Sequence, residues 1–519
     1  MQRGTWTLVT VVLGSGIVFL DSTVVNVALR AIGDQLPAEL VGRLEGQSYV
    51  VNGYLLTLSA LLVLAGALAD RYGRRRLFAI GLAGFGATSL LCGLAPTMEV
   101  LVLARLAQGA FGALLVPTSL ALINATFEGA ARGRAFGLWA ASTGAWTLLG
   151  PPIGGLLVDT FGWQIAFLMN VPLSAVGVAV AMTRIPESLN PDAPRTFDWL
   201  GAAVVAVAVG GLAYGAIRGQ ERSWTDASAW VALGLGAAAT VALVPLMRFR
   251  RDPLMPPALF RSRNFTITNV STLLVYGALH VMAFLTVVFF QQTLGYTALG
   301  AGLALVPMDV LLITLSTTFG HLAGRYGPRR FMAVGPLLMG IGLLWFLRLP
   351  AGSAPWRATP ADPASLLPPV DYWVDIAPMA AVFGLGLAIM VAPLTTALMT
   401  SVPVGNSGLA SAINNAISRI GPVLATAVIF IGVSATFYAG IAERVPEVDV
   451  SRPEVRAELP PLSVADEARG PELVAASREA STEAFRLAML IGGLLCLAGA
   501  AVNLAISDRV ARGEQPPMA

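Results

Sequence analysis

The sequence predicts an all-α, polytopic membrane protein made by duplicating one helical bundle, and three observations predict it. Hydrophobic residues make up 56% of the 519 and charged residues only 12%, with a mean hydropathy of +0.72; soluble domains are about 25% charged. Apolar runs long enough to cross a bilayer, about 20 residues at 1.5 Å each, recur along the chain. A charged hairpin between two such runs occurs twice. Gly66-Ala-Leu-Ala-Asp-Arg-Tyr-Gly-Arg-Arg-Arg76 returns as Gly320-His-Leu-Ala-Gly-Arg-Tyr-Gly-Pro-Arg-Arg330, with Gly324 where the first copy has Asp70. Uninterrupted apolar runs exclude an outer-membrane barrel, whose strands alternate in short segments.

Fourteen apolar runs lie near 7–29, 47–69, 77–95, 99–124, 135–159, 164–183, 199–217, 228–247, 266–290, 301–323, 331–349, 376–400, 407–434 and 484–506. The first carries Asp21 and reads as a retained span rather than a cleaved signal. An even count puts both termini on one face. With the N-terminus inside, the cytoplasmic connections hold sixteen arginines, among them Arg71, Arg74–Arg76, Arg132, Arg134, Arg325 and Arg329. The short outer loops then hold six, and the positive-inside rule selects N-in, C-in. Two outer connections are long. Pro350–Trp373 is rich in Pro and Ala; Glu443–Glu483 carries ten acids against five arginines and reads as a solvated spacer, with Pro471–Phe485 helix-competent.

The repeated hairpin follows span two and span ten. It falls at equivalent places if one bundle is spans one to six and the other spans nine to fourteen. The expected domains are therefore 1–184, a first six-helix bundle; 185–263, linkers and two extra spans; and 264–519, a second six-helix bundle with a long outer loop at 435–483.

Composition also limits chemistry. The chain has no lysine, so a phosphate loop of the Gly-x-x-x-x-Gly-Lys type is absent and ATP drive is excluded. Cys92 and Cys496 lie in apolar runs, and His280 and His321 stand far apart, which leaves no metal or disulfide framework. No cofactor and no nucleic-acid partner is expected, and an enzyme of clustered His, Cys or carboxylate ligands is not.

Charges inside spans are costly unless paired or wet, and they mark function. Asp21, Arg105, Asp309 and Arg419 are such charges. At 1.5 Å per residue, Asp21 and Asp309 lie about 12 Å, and Arg105 about 9 Å, from the outer ends of their spans. The three share one layer, as residues lining one cavity would; Arg419 is nearer the midplane. A carboxylate in low dielectric holds a proton more readily, and a nearby arginine favours its release.

Further motifs lie in order along the chain: Leu20-Asp-Ser-Thr-Val-Val-Asn-Val-Ala-Leu29; Gly66–Arg76; Leu103-Ala-Arg-Leu-Ala-Gln-Gly109 with Pro117; Gly144-Ala-Trp-Thr-Leu-Leu-Gly-Pro-Pro-Ile-Gly-Gly155; and Phe167-Leu-Met-Asn-Val-Pro172 after Trp163. Together they resemble the major facilitator superfamily, and within it the fourteen-span drug:proton antiporter branch, over essentially the whole chain. Tyr49, where this branch commonly has Trp, and Gln164, where Arg is common, are departures outside these motifs.

The resemblance implies a fold of two six-helix bundles plus two inserted spans. It also implies roles. Gly66, Asp70, Arg71, Gly73, Arg74 and Arg75 would form a conformational latch. Gly144, Gly150, Pro151, Gly154 and Gly155 would form an antiporter motif; small residues there permit close helix packing, and the resemblance makes them a seal against the neighbouring bundle. Asp21 would carry the proton, Arg105 would tune it, and Asp309 would be a second carboxylate; the Asp21–Arg105 separation is expected to change as the bundles rock. The implied function is a monomeric, proton-driven exporter of hydrophobic or amphipathic small molecules in the inner membrane, in contact with protons, substrate and lipid. An exporter of a lipid or a specific metabolite on the same scaffold is the alternative. No substrate-binding residue is singled out.

Overall fold

A computed structural model describes residues 3–37, 43–189, 196–221, 226–359 and 362–508. The long helices are α1 (Arg3–Gln35), α2 (Arg43–Tyr72), α3 (Arg74–Gly93), α4 (Met98–Thr126), α5 (Gly129–Phe161), α6 (Asn170–Arg184), α7 (Trp199–Glu221), α8 (Ala227–Phe249), α9 (Arg263–Phe289), α10 (Ala298–Tyr326), α11 (Arg329–Trp345), α12 (Ala377–Thr400), α13 (Ser407–Arg444) and α14 (Pro471–Asn503). Thirteen segments of the described residues are long and apolar enough to cross a membrane. The remaining helix, α5, is 33 residues long and carries side chains outside the described set, Pro151 and Pro152 among them.

Local chemistry fixes where the helices start and turn. The two repeated hairpins turn at Gly73 (φ 110°) and Gly327 (φ 93°), in the left-handed region where a β-carbon is strained. Side-chain oxygens of Thr97, Asp226, Ser262 and Thr297 accept from the first free N–H groups of α4, α8, α9 and α10.

The buried apolar residues form one large cluster from α9 to α14 and others built mainly from α1–α6. The larger of these also takes in Ala202, Val205 and Val209 of α7 and Leu409, Ile413 and Ala416 of α13, so the halves meet in a shared apolar plug. Backbones touch at two places in this seam. A β-carbon on Gly66 would overlap the Gly408 carbonyl, and one on Gly133 would overlap that of Gly320. Helix α2 thus lies on α13, and α5 on α10, as two copies of one crossing.

The inserted pair packs on itself through Gly211 and Gly236, and α7 also lies against α2, where a β-carbon on Gly210 would sit 3.2 Å from Ala60. Helix α8 leaves Trp230, Val231 and Val241 exposed, as a lipid-facing helix would.

One expectation needs correction. Nearly half of 435–483 is not loop: α13 continues to Arg444 and α14 begins at Pro471. Both helices project beyond bilayer length and are tied by Arg444 to Glu479 (3.1 Å) and Glu483 (2.5 Å). Residues 445–470 fold over them. Leu462 is buried, its carbonyl accepts from Thr293 (2.7 Å), and the Tyr438 hydroxyl donates to the Leu459 carbonyl (3.3 Å). The other long connection is also anchored, with Trp356 and Tyr372 buried together (ring centroids 5.1 Å apart) and Ser353 bonded to Asp375 (2.8 Å).

Candidate functional site: a buried ion pair and an inter-bundle latch

Asp21 on α1 is fully buried, and four helices supply its surroundings. Arg105 of α4 donates to its Oδ2 at 2.6 Å, while Gln108 of α4 (3.1 Å) and Asn170 of α6 (2.9 Å) donate to Oδ1. Ser89 of α3 receives the second bond of Gln108 at 2.7 Å. Arg105 is 1% exposed. Its Nε donates to the Val50 carbonyl (3.0 Å), its Nη1 also reaches Gln108 (2.7 Å), and its guanidinium lies 4.1 Å from the Tyr54 ring centroid.

Desolvating two charges costs several kcal/mol each, and only tight geometry with satisfied neighbours offsets it. Here both Asp21 oxygens accept hydrogen bonds, and Arg105 donates from Nε and Nη1.

The structure corrects one detail. Asp21 and Arg105 both lie within α1–α6, so rigid rocking of the bundles does not separate them; any separation is a movement inside this bundle. Asp309, on α10, is not brought into the network: it is half-buried and makes no hydrogen bond or ion pair with a described residue. Arg419, on α13 just beyond the Leu409–Ala416 plug, is half-buried and equally without such a bond.

The second constellation joins the halves. Asp70, 5% exposed, accepts from the backbone N–H of Gly408 (3.1 Å) and Leu409 (2.8 Å) at the start of α13. A helix N-terminus favours an anion through its free N–H groups and its dipole. Arg74 pairs with the same carboxylate (2.9 Å) and donates onward to the Val404 and Gly405 carbonyls. The Arg75 and Arg76 N–H groups donate instead to Glu187 (3.0 and 3.2 Å), just past α6, and the Arg75 side chain reaches the Ile185 carbonyl (3.2 Å). Arg71 stands beside the Tyr72 ring (5.4 Å). Gly73 leaves room for Glu187: its β-carbon would lie 2.7 Å from that carboxyl carbon.

The α5 glycines divide. A β-carbon on Gly144 would meet Leu312 of α10 at 3.3 Å, across the seam. Those on Gly150 and Gly154 would meet Thr23 and Val24 of α1, and one on Gly155 would meet Val27. This stretch therefore packs inside its own bundle; the contact with the neighbouring bundle is made by Gly133, Gly137 and Gly144. The Pro151 side chain lies outside the described residues.

Sequence reasoning gave no role to Asn170 or Gln108, though both lie inside the motifs quoted above, and did not single out Ser89, Tyr54, Glu187 or Asp508, whose carboxylate accepts from the Arg329 N–H (3.0 Å). Asn170 and Gln108 had a signal, being polar in apolar runs; Glu187 and Asp508 are ordinary linker acids and had none.

Comparison with known proteins agrees with this architecture. Residues 11–426 match the Major Facilitator Superfamily. The chain is 35% identical over 424 residues to the multidrug resistance protein Stp of Mycobacterium tuberculosis, covering 82% of this chain and 74% of that one. It is 32% identical to the tetracenomycin C resistance and export protein of Streptomyces glaucescens (82% and 74%) and 32% identical to the methylenomycin A resistance protein of Bacillus subtilis (85% and 90%). Among solved structures, a human organic anion transporter aligns with a TM-score of 0.58 at 14% identity (97% of this chain, 100% of that one), and a proton:xylose symporter with 0.57 at 14% (95% and 94%). The chain belongs to the major facilitator superfamily, a multi-pass membrane transporter and not an enzyme.

Proposed function

We propose that this transporter is a proton-driven exporter of hydrophobic or amphipathic small molecules, working by alternating access in the cell (inner) membrane as a monomer with both termini cytoplasmic. The bundles would be 1–184 and 264–519, with 185–263 as the inserted pair and its linkers. The relatives named for multidrug resistance, tetracenomycin export and methylenomycin resistance support drug export. The observation that carries the coupling is the closed Asp21–Arg105 pair, buried in a span and bonded through both carboxylate oxygens.

Asp21 exchanges the proton. In the closed pair the carboxylate is ionised and Arg105 is satisfied. When Arg105 turns to another acceptor, Asp21 loses its counter-charge, and a desolvated carboxylate without one takes up a proton. Release follows when Arg105 returns. Gln108 and Asn170 keep the carboxyl in place in both states, so the proton moves and the side chain does not. Asp309 on α10, without a partner among the described residues, is a second carboxylate available to a cationic substrate or a second proton. Asp70 and Arg74 latch the cytoplasmic side shut.

The test is transport in proteoliposomes with an imposed pH gradient. Asp21→Asn is expected to abolish gradient-driven accumulation of substrate while leaving downhill exchange measurable. Accumulation at the wild-type rate would make Asp21 structural and transfer the role to Asp309.

A further inference from the structure

The inserted helices build a cavity that neither bundle has alone. Where α7 lies along α2, an apolar cavity of about 150 Å³, open on one side, lies among α2, α4 and α7. Gly53 and Leu56, Val102 and Leu106, and Tyr214 and Ile217 form its walls, with one polar side chain among them, Asn52, whose amide donates to the Ser48 hydroxyl (2.9 Å). Arg218 and Tyr49 stand at one end, where the Arg218 guanidinium donates to the Tyr49 hydroxyl at 3.3 Å. We propose that this cavity is a binding site for one acyl chain of a membrane phospholipid, and that its occupation braces α2 against α4 beside Arg105.

The occupant follows from size, polarity and position. Apolar cavities of roughly this volume stay dry and accept guests about as large as benzene, which suits a short stretch of hydrocarbon chain. The cavity faces the bilayer: Tyr214 is 37% exposed, and Leu103, next to Val102, is 65% exposed. A chain already in the bilayer reaches it without crossing water. The polar end offers no net charge to a cationic drug or a free anion, because Arg218 is paired with Asp226 (2.8 Å). The Ser228 N–H and Arg218 hold the Asp226 carboxyl below the usual carboxylate range, so the pair stays closed at neutral pH.

The consequence follows from neighbouring residues. Tyr49 of the cavity adjoins Val50, whose carbonyl receives Arg105 Nε, and Leu106 of the cavity adjoins Arg105 itself. A filled cavity resists the sliding of α2 along α4 that would pull this carbonyl from the guanidinium. The binding site stands independently of whether Asp21 carries the proton.

The experiment places the full-length protein in nanodiscs containing phosphatidylglycerol with a diazirine midway along one acyl chain, then maps adducts by mass spectrometry after irradiation. Adducts are expected on residues 49–56 and 214–218 at several times the level around the lipid-facing Val241. Leu56→Trp and Leu106→Trp, filling the cavity from opposite walls, should each lower the first two at least fivefold and leave Val241 unchanged. Gly53→Ala, whose β-carbon would sit 3.4 Å from Leu106, is the milder filling variant and should lower them about twofold. Adducts no denser than at Val241, or equally dense in all variants, would overturn the proposal. So would their removal by excess ethidium with Val241 spared, which would make the cavity a drug site.

Discussion

The two copies of the repeated hairpin make the same crossing with different chemistry. In both, a glycine brings helix backbones into contact, Gly66 on Gly408 and Gly320 on Gly133. In both, an acid past the last helix of its bundle caps the helix after the hairpin: Glu187 accepts from Arg75 and Arg76, and Asp508 accepts from Arg329 (3.0 Å). They part at one residue. Asp70 fills the gap at the N-terminus of α13, whereas a β-carbon on Gly324 would already lie 2.9 Å from Ala130 Cα and 3.0 Å from the Gly129 carbonyl at the start of α5. The first seam is polar and held by charge; the second is dry and too tight for an acid. At the second seam the start of α5 occupies the space that the Asp70 carboxylate takes at the first.

The largest expected effect comes from removing the charge on the polar side. Asp70→Asn leaves Arg74, 1% exposed, without its counter-ion, and breaking a buried pair costs about 3–5 kcal/mol. The closed state of this first seam should lose more than a hundredfold in population, read as labelling of a cysteine placed at Ala412. Unchanged labelling would reduce Asp70 to a simple helix cap. Next, Gly324→Asp should open the dry seam rather than strengthen it, by about 1–3 kcal/mol of overpacking. A Gly324→Asp variant that labels less at Ser316→Cys, a near-isosteric reporter buried in the same seam, than the Ser316→Cys parent would show that the second seam has room for an acid after all. The smallest effects belong to the caps. Glu187→Gln and Asp508→Asn should each cost about 1 kcal/mol of thermal stability, and by similar amounts. A much larger loss for Glu187 would give it a share in the latch that Asp508 lacks.

Much of this was legible in the sequence because hydrocarbon thickness imposes span length and burial makes charges rare. Asp21 and Arg105 stood out as charges in apolar runs, and the hairpins announced the duplication by repeating. What stayed hidden depends on helix rotation. Span depth put Asp309 level with Asp21, yet depth says nothing of which way a side chain faces, and Asp309 lies outside that network. Gly150 and Gly154 read as a small-residue ridge, but a ridge does not say which helix it meets; it meets α1. The projecting start of α14 was legible as the helix-competent Pro471–Phe485, whereas the projecting end of α13 escaped because polar residues outside the bilayer dilute the apolar signal while remaining good helix formers.

Those projecting ends turn the second bundle into a pointer. Beyond half a bilayer of about 15 Å, the extra turns of α13 and α14 add roughly 15–20 Å, so the 445–470 cap rides about 35 Å from the membrane midplane. A rigid rotation of the bundle about that plane moves the cap by about 6 Å for every 10°, in the direction opposite to the far ends of the same helices. A fluorophore at Ser463, paired with one at Asp34 near the end of α1, would therefore read any rotation between the bundles as a distance.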